Sequence, residues 1–183
     1  MSKPNILCIS GSLRQGSSNG KILAYIAQQL NSEANFEVYD GLDGLPFFSP
    51  ERDTEPAHPN VADFRKQLQQ ADGILICTPE YAFGVPGVLK NALDWTVSSA
   101  EFSRKPLALI TASSVGENGH KALLNTFVAL DADISEEAKL LIPFIRSKFD
   151  AEGKLKDEKV MTDVLKATRT LLLTIKSAKE GSL

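Results

Sequence analysis

The sequence is poor in the residues that build metal and redox centres, with two cysteines and two histidines among 183 residues. Cys8 and Cys77 each sit inside an apolar, strand-like run, with no CxxC and no metal-ligand spacing. They read as reduced core thiols, which points to the cytoplasm rather than an oxidising compartment. Long hydrophobic runs are also missing, so no membrane span is expected. "MSKPN" leads directly into a strand, without the apolar stretch of a signal peptide. Neither sign of charge dominates: 20 basic and 23 acidic residues leave a net charge of −3, which disfavours nucleic acid or an anionic membrane as partner. No internal repeat, low-complexity segment or linker interrupts the chain. What remains is ordinary, 43% hydrophobic and 23% charged, and the length suits one domain over residues 1–183.

Strand-like and helix-like patterns alternate along that domain. "NILCIS", "GILICTP" and "KPLALITAS" are apolar throughout, as strands covered on both faces should be, and "FEVYDGL" reads as another strand. "DADI" (131–134) is the candidate for a fifth. Apolar stripes mark helices after residue 19, over 61–71, from Pro86 to Ser98, around 123–128 and over 160–175. Asn19 is placed to cap the first of them. Between strand two and helix two, "DGLPFFSPERDTEPAHP" is too rich in proline and charge to be regular. Such alternation implies an α/β fold, a doubly wound parallel sheet with helices on both faces.

In such a sheet, ligands bind beyond the carboxyl ends of the strands. Three of those ends are chemically loaded: "SGSLRQGSSN", "TPEYAFGVPG" and "TASSVGENGH". The first fails two nucleotide signatures. Its glycines, Gly11, Gly16 and Gly20, are too widely spaced for GxGxxG, and Ser17 stands where a P-loop needs lysine. A monophosphate suits it better. Helix-start N–H groups, the hydroxyls of Ser12, Ser17 and Ser18, the Asn19 amide and the Arg14 guanidinium make an anion nest. In the second loop Tyr81 and Phe83 offer aromatic area beside a rigid turn made by Pro79 and the Gly84, Pro86 and Gly87 group. A flat aromatic ligand fits there, as does a tight turn whose rings merely cover the sheet edge.

"GSLRQGSSN" and "PEYAFGVPGVLKNALDW" together resemble the NADPH-dependent FMN reductase family, flavodoxin-like proteins that include quinone, chromate and azo-dye reductases. The family patterns are GSLRxxSxN and PEYNxSxPGxLKNAxDW. Both occur here in order and on the expected elements, and the resemblance spans residues 5 to about 130. It implies a flavodoxin-like five-stranded sheet of order 2-1-3-4-5, FMN as cofactor, and NADPH or NADH as donor. It further implies that Ser12, Arg14, Ser17 and Asn19 hold the FMN phosphate, to which the nest reading adds Ser18 as a cofactor-binding residue. Pro79, Glu80, Tyr81 and the backbone through Ala82 and Phe83 would line the isoalloxazine, with Ser113 and Ser114 near the ring or ribityl chain. Ala82 departs from the family asparagine, which removes a side-chain amide at that point.

The implied chemistry is hydride transfer from a reduced nicotinamide, through FMN, to a quinone, free flavin, azo dye or metal ion. No catalytic side chain is needed, because the flavin carries the reaction. The rival is a flavodoxin-type electron carrier, against which Arg14 and the modest net charge argue; a binding domain without turnover is the third reading. His120 is read as solvated or as reaching a cofactor phosphate, His58 is given no role, and the acidic 131–137 cluster is read as a solvated turn rather than a metal site. The resemblance implies a homodimer or homotetramer. The helix from Pro86 carries apolar residues beyond one stripe, so Leu93 or Trp95 is expected at the contact.

Overall fold

A computed structural model of the chain describes residues 2–180. Five parallel strands, β1 (Asn5–Ser10), β2 (Asn35–Tyr39), β3 (Gly73–Thr78), β4 (Leu107–Ala112) and β5 (Lys139–Ile142), form a sheet of order β2-β1-β3-β4-β5. The intervening helices are α1 (Ser18–Gln29), α2 (Pro59–Gln70), α3 (Gly87–Asp94) and α4 (Glu117–Ala129), and α5 (Glu158–Glu180) follows β5. This is the flavodoxin-like doubly wound arrangement. Each central strand alternates between two cores, as a strand buried on both faces must. Leu7, Ile9, Ile74, Ile76, Leu107 and Leu109 face α2, α3 and α4. Ile6, Cys8, Leu75, Cys77, Ala108 and Ile110 face α1 and α5.

The fifth strand is Lys139–Ile142, not "DADI". Asp133 forms only a single parallel bridge with Pro106, and Asp131 turns the chain with a φ of 56°. The fifth strand therefore ends at Ile142, and the chain from Pro143 onward is a fourth loop at the carboxyl edge of the sheet. The first helix is also capped differently. Ser17, not Asn19, is the N-cap, its Oγ accepting from the Gly20 N–H at 3.1 Å. Asn19 lies inside the first turn, buried, where its Oδ1 accepts the Cys77 thiol at 3.3 Å.

The expected contact residues of α3 are core residues. Leu93 and Trp95 are each 1% exposed. The surplus apolar face is covered by the proline-rich segment that follows β2. Leu42 and Leu45 are buried in the same core, and Phe48 packs edge-on against Trp95 at 5.1 Å between ring centroids. The Trp95 indole N–H donates to Pro46 O at 2.8 Å, and Asn91 donates to the same carbonyl while accepting from the Phe48 N–H. Arg65 of α2 closes the arrangement from beneath. It donates to Trp95 O and forms a 2.8 Å ion pair with Asp53. His58 also acquires a role there, capping α2 by accepting from the Asn60 N–H through Nδ1.

Candidate cofactor site

The carboxyl ends of β1 and β3 are drawn together where Gly11 N–H donates to Cys77 O at 3.0 Å. A Cβ on Gly11 would lie 2.6 Å from Thr78 Cβ and nearer still to its Oγ1, so only glycine permits this approach. From that junction the first and second loops diverge and are tied again by the Ser12 and Tyr81 hydroxyls, 3.3 Å apart. The third loop joins through Ser113, whose Oγ accepts from the Glu80 N–H at 3.2 Å.

Glu80 does more than line a wall. Its carboxylate accepts from the N–H groups of Gly116 and Gly119, at 3.2 and 2.6 Å, and so caps the amino end of α4. A negative charge there meets the positive end of the helix dipole, worth about 0.3–1 kcal/mol. The Glu80 side chain is therefore a brace between the second and third loops, and its backbone adds to the tie through Ser113 Oγ.

Between these loops lies a cleft of about 260 Å³, lined by Ser12, Arg14, Ser17, Ser18, Asn19, Pro79, Glu80, Tyr81, Ser113 and Ser114, together with Ala112, Ile145 and Arg146. Ten of the residues expected from the sequence thus share one cavity. Ala82 and Phe83 do not line it. They form the exposed tip of a two-residue turn in which Tyr81 and Gly84 exchange both backbone hydrogen bonds, at 3.0 and 2.9 Å. Both tip residues have positive φ, 49° and 58°, a conformation that favours Asn-Gly. Strain of about 1–2 kcal/mol per L-residue is held there, beside the cleft. Phe83→Gly is expected to stabilise the fold by about 0.5–1 kcal/mol, since relieved strain exceeds the added freedom of the unfolded chain. The ring is 73% exposed and sacrifices little burial. A urea midpoint that does not rise would contradict this.

His120 is only partly solvated and does not line the cleft. It is half-buried on α4 with Nδ1 2.8 Å from Thr111 Oγ1; burial, then the nearby Lys139 charge, lowers its pKa below the usual histidine value. The acidic 131–137 segment contributes to no metal-like cluster among the described residues. Cys8 and Cys77 are buried and unpaired with each other, and burial pushes the Cys8 thiol up to about 12 and raises that of Cys77 as well.

The profile of the family described as NADPH-dependent FMN reductase matches residues 4–144. The chain belongs to that family. It is 34% identical over 176 residues to an NAD(P)H-dependent FMN reductase of Pseudomonas aeruginosa, covering 93% of this chain and 95% of the other. It is 35% identical over 161 residues to a 2-hydroxy-1,4-benzoquinone reductase of a Burkholderia species, covering 84% and 86%. Its fold superimposes on that of a flavoenzyme NAD(P)H:(acceptor) oxidoreductase from Paracoccus denitrificans with a TM-score of 0.82, at 22% identity over 95% and 98% of the two chains. Members of this family are NAD(P)H-dependent enzymes, and FMN is the group the cleft has to accommodate.

The donor set fits a phosphate monoester. Arg14 is exposed and has no ion-pair partner among the described residues. Nor does any acceptor among them meet the N–H groups of Gly16, Ser18 or Asn19. These donors converge at the amino end of α1, where a helix favours an anion. Ile145 and Arg146 were not anticipated from the sequence. With the fifth strand assigned to "DADI", the loop beyond "KLLI" had no place at this edge, although Pro143 after that apolar run marks a strand end.

Proposed function

We propose that the chain, as one domain over residues 1–183, is a cytoplasmic NAD(P)H-dependent reductase that holds FMN in this cleft. It would pass hydride from a reduced nicotinamide to a small acceptor, a quinone first and free flavin, azo dyes or oxidised metal ions after it. The observation that carries the reading is the serine-bearing cradle in which the Arg14 guanidinium and the N–H groups of Gly16, Ser18 and Asn19 meet no acceptor among the described residues. Ser12, Arg14, Ser17, Ser18 and Asn19 would hold the phosphate. Ser17 Oγ keeps its own proton to donate while it caps α1, and Asn19 keeps its amide N–H₂. Pro79, Glu80 and Tyr81, with the turn at Ala82 and Phe83 as a rim, would flank the ring, and Ser113 and Ser114 would close the other side. Bound there, FMN supplies the hydride relay. The protein's part is to bind and orient, because the carboxylate that lines the cleft, Glu80, is already committed to two N–H groups.

Arg14→Ala should weaken FMN binding by about 1.5–3 kcal/mol, the range for a hydrogen bond to a charged group, with the fold intact. Fluorescence titration of flavin-free protein checks it, and unchanged affinity would remove the phosphate assignment. Donor and acceptor would use the same mouth in turn, so steady-state data should give the parallel double-reciprocal lines of a ping-pong reaction. Intersecting lines would mean that both bind together. The quinone comes first because a relative is named for a quinone. Two buried, unpaired thiols suit a reducing compartment, and no described helix is long and apolar enough to cross a membrane. A homodimer or homotetramer would have to form on a face other than the covered one of α3. Exposed Phe83 and Phe144, at 73% and 69%, are candidates, as is Phe47 at 83%.

A further inference from the structure

The fourth loop is built with more care than a connection requires. Pro143 follows β5, and Phe144 then adopts a φ of 53°, which turns the chain sharply. The N–H groups of Phe144 and Ile145 donate to Ser114 O and Ser113 O, at 3.1 and 3.0 Å, and lace the segment to the third loop. Ile145 is buried in the core shared with α1 and α5. Farther along, the segment lies beside α1: the Lys21 ammonium sits over the Phe149 ring, 5.7 Å from its centroid. Residue 146 is thus carried toward the amino end of α1.

Arg146 lines the same cleft as Ser12, Arg14, Ser17 and Ser18. It is exposed and, like Arg14, has no ion-pair partner among the described residues, whereas Arg65 and Arg169 are each paired with a carboxylate. A phosphate monoester carries about −1.5 to −2 charges at neutral pH. Arg14 supplies one positive charge and the end of α1 about half of another, which leaves part of the dianion unmatched.

We infer that Arg146 is a second guanidinium for the FMN phosphate, reaching it from the β5 side of the cleft. The inference rests on the cofactor reading above. It makes the phosphate site a product of two loops far apart in sequence, each contributing a planar donor fork.

The test measures FMN and riboflavin dissociation constants by fluorescence titration of flavin-free full-length protein, for wild type, Arg14→Ala and Arg146→Ala, at low and raised salt. Riboflavin lacks the phosphate and so reports the integrity of the rest of the site. Arg146→Ala should raise the FMN constant about 10- to 100-fold, leave the riboflavin constant unchanged, and flatten the salt dependence of FMN binding. If that variant fails to fold, Arg146→Gln is read in the same way. Loss of FMN affinity in Arg14→Ala but not in Arg146→Ala would overturn this inference alone. Equal weakening of both flavins would make Arg146 a structural residue, and a raised KM for NADPH with unchanged FMN affinity would assign it to the donor; either outcome overturns the inference. A wild-type protein that binds neither flavin would overturn the cofactor reading as well.

Discussion

Trp95→Ala is expected to lower the unfolding free energy by about 3–5 kcal/mol and to leave the molar mass in solution unchanged. The indole is 1% exposed and is the largest fully buried side chain of the fold. Its truncation empties the space between α3 and the segment that covers it, and strands Phe48 without its edge-on partner. It also removes the N–H that Pro46 O accepts, although Asn91 continues to donate to that carbonyl. Because α3 begins where the second loop ends, FMN affinity should fall along with stability. Denaturant unfolding and light scattering together check the claim. A fold that keeps its stability while an assembly dissociates would return Trp95 to a subunit interface.

Gly11→Ala is expected to cost about 3 kcal/mol and to abolish the cradle. The added methyl would sit 2.6 Å from Thr78 Cβ, and Thr78 is fully buried, with its hydroxyl donating to Pro79 O at 3.1 Å. Neither strand end can yield cheaply, since each is central in the sheet and held by the Gly11 to Cys77 hydrogen bond. The first and second loops would separate and lose the link between Ser12 and Tyr81. Calorimetry and FMN titration should therefore report losses together. A variant that folds with wild-type stability and binds FMN normally would show that the junction is slack.

The central sheet was legible because β1, β3 and β4 are buried on both faces and read as unbroken apolar runs. The edge strand β5 was not. It has four residues, three of them half-exposed, and so short a run does not announce a strand as the six-residue central ones do. The cap of α1 was displaced because Ser17 and Asn19 are both good capping types two residues apart, and burial against Cys77 decided between them. Trp95 could be read as surplus because an apolar stripe does not say what covers it. The cover came from a segment whose prolines and charges conceal the inward-turned Leu42, Leu45 and Phe48. The first three cleft loops were visible through their local chemistry. The bracing role of Glu80 and the presence of Arg146 were not, since both depend on contacts between loops distant in sequence.

The most direct test is the visible absorption spectrum of the protein loaded with FMN, recorded anaerobically before and after one equivalent of NADPH or NADH and again after a quinone. Retention of the flavin through gel filtration, bleaching of its oxidised band by the nicotinamide and return of the band with quinone is the predicted result. A protein that keeps no flavin, or whose bound flavin stays oxidised in the presence of both donors, would contradict it.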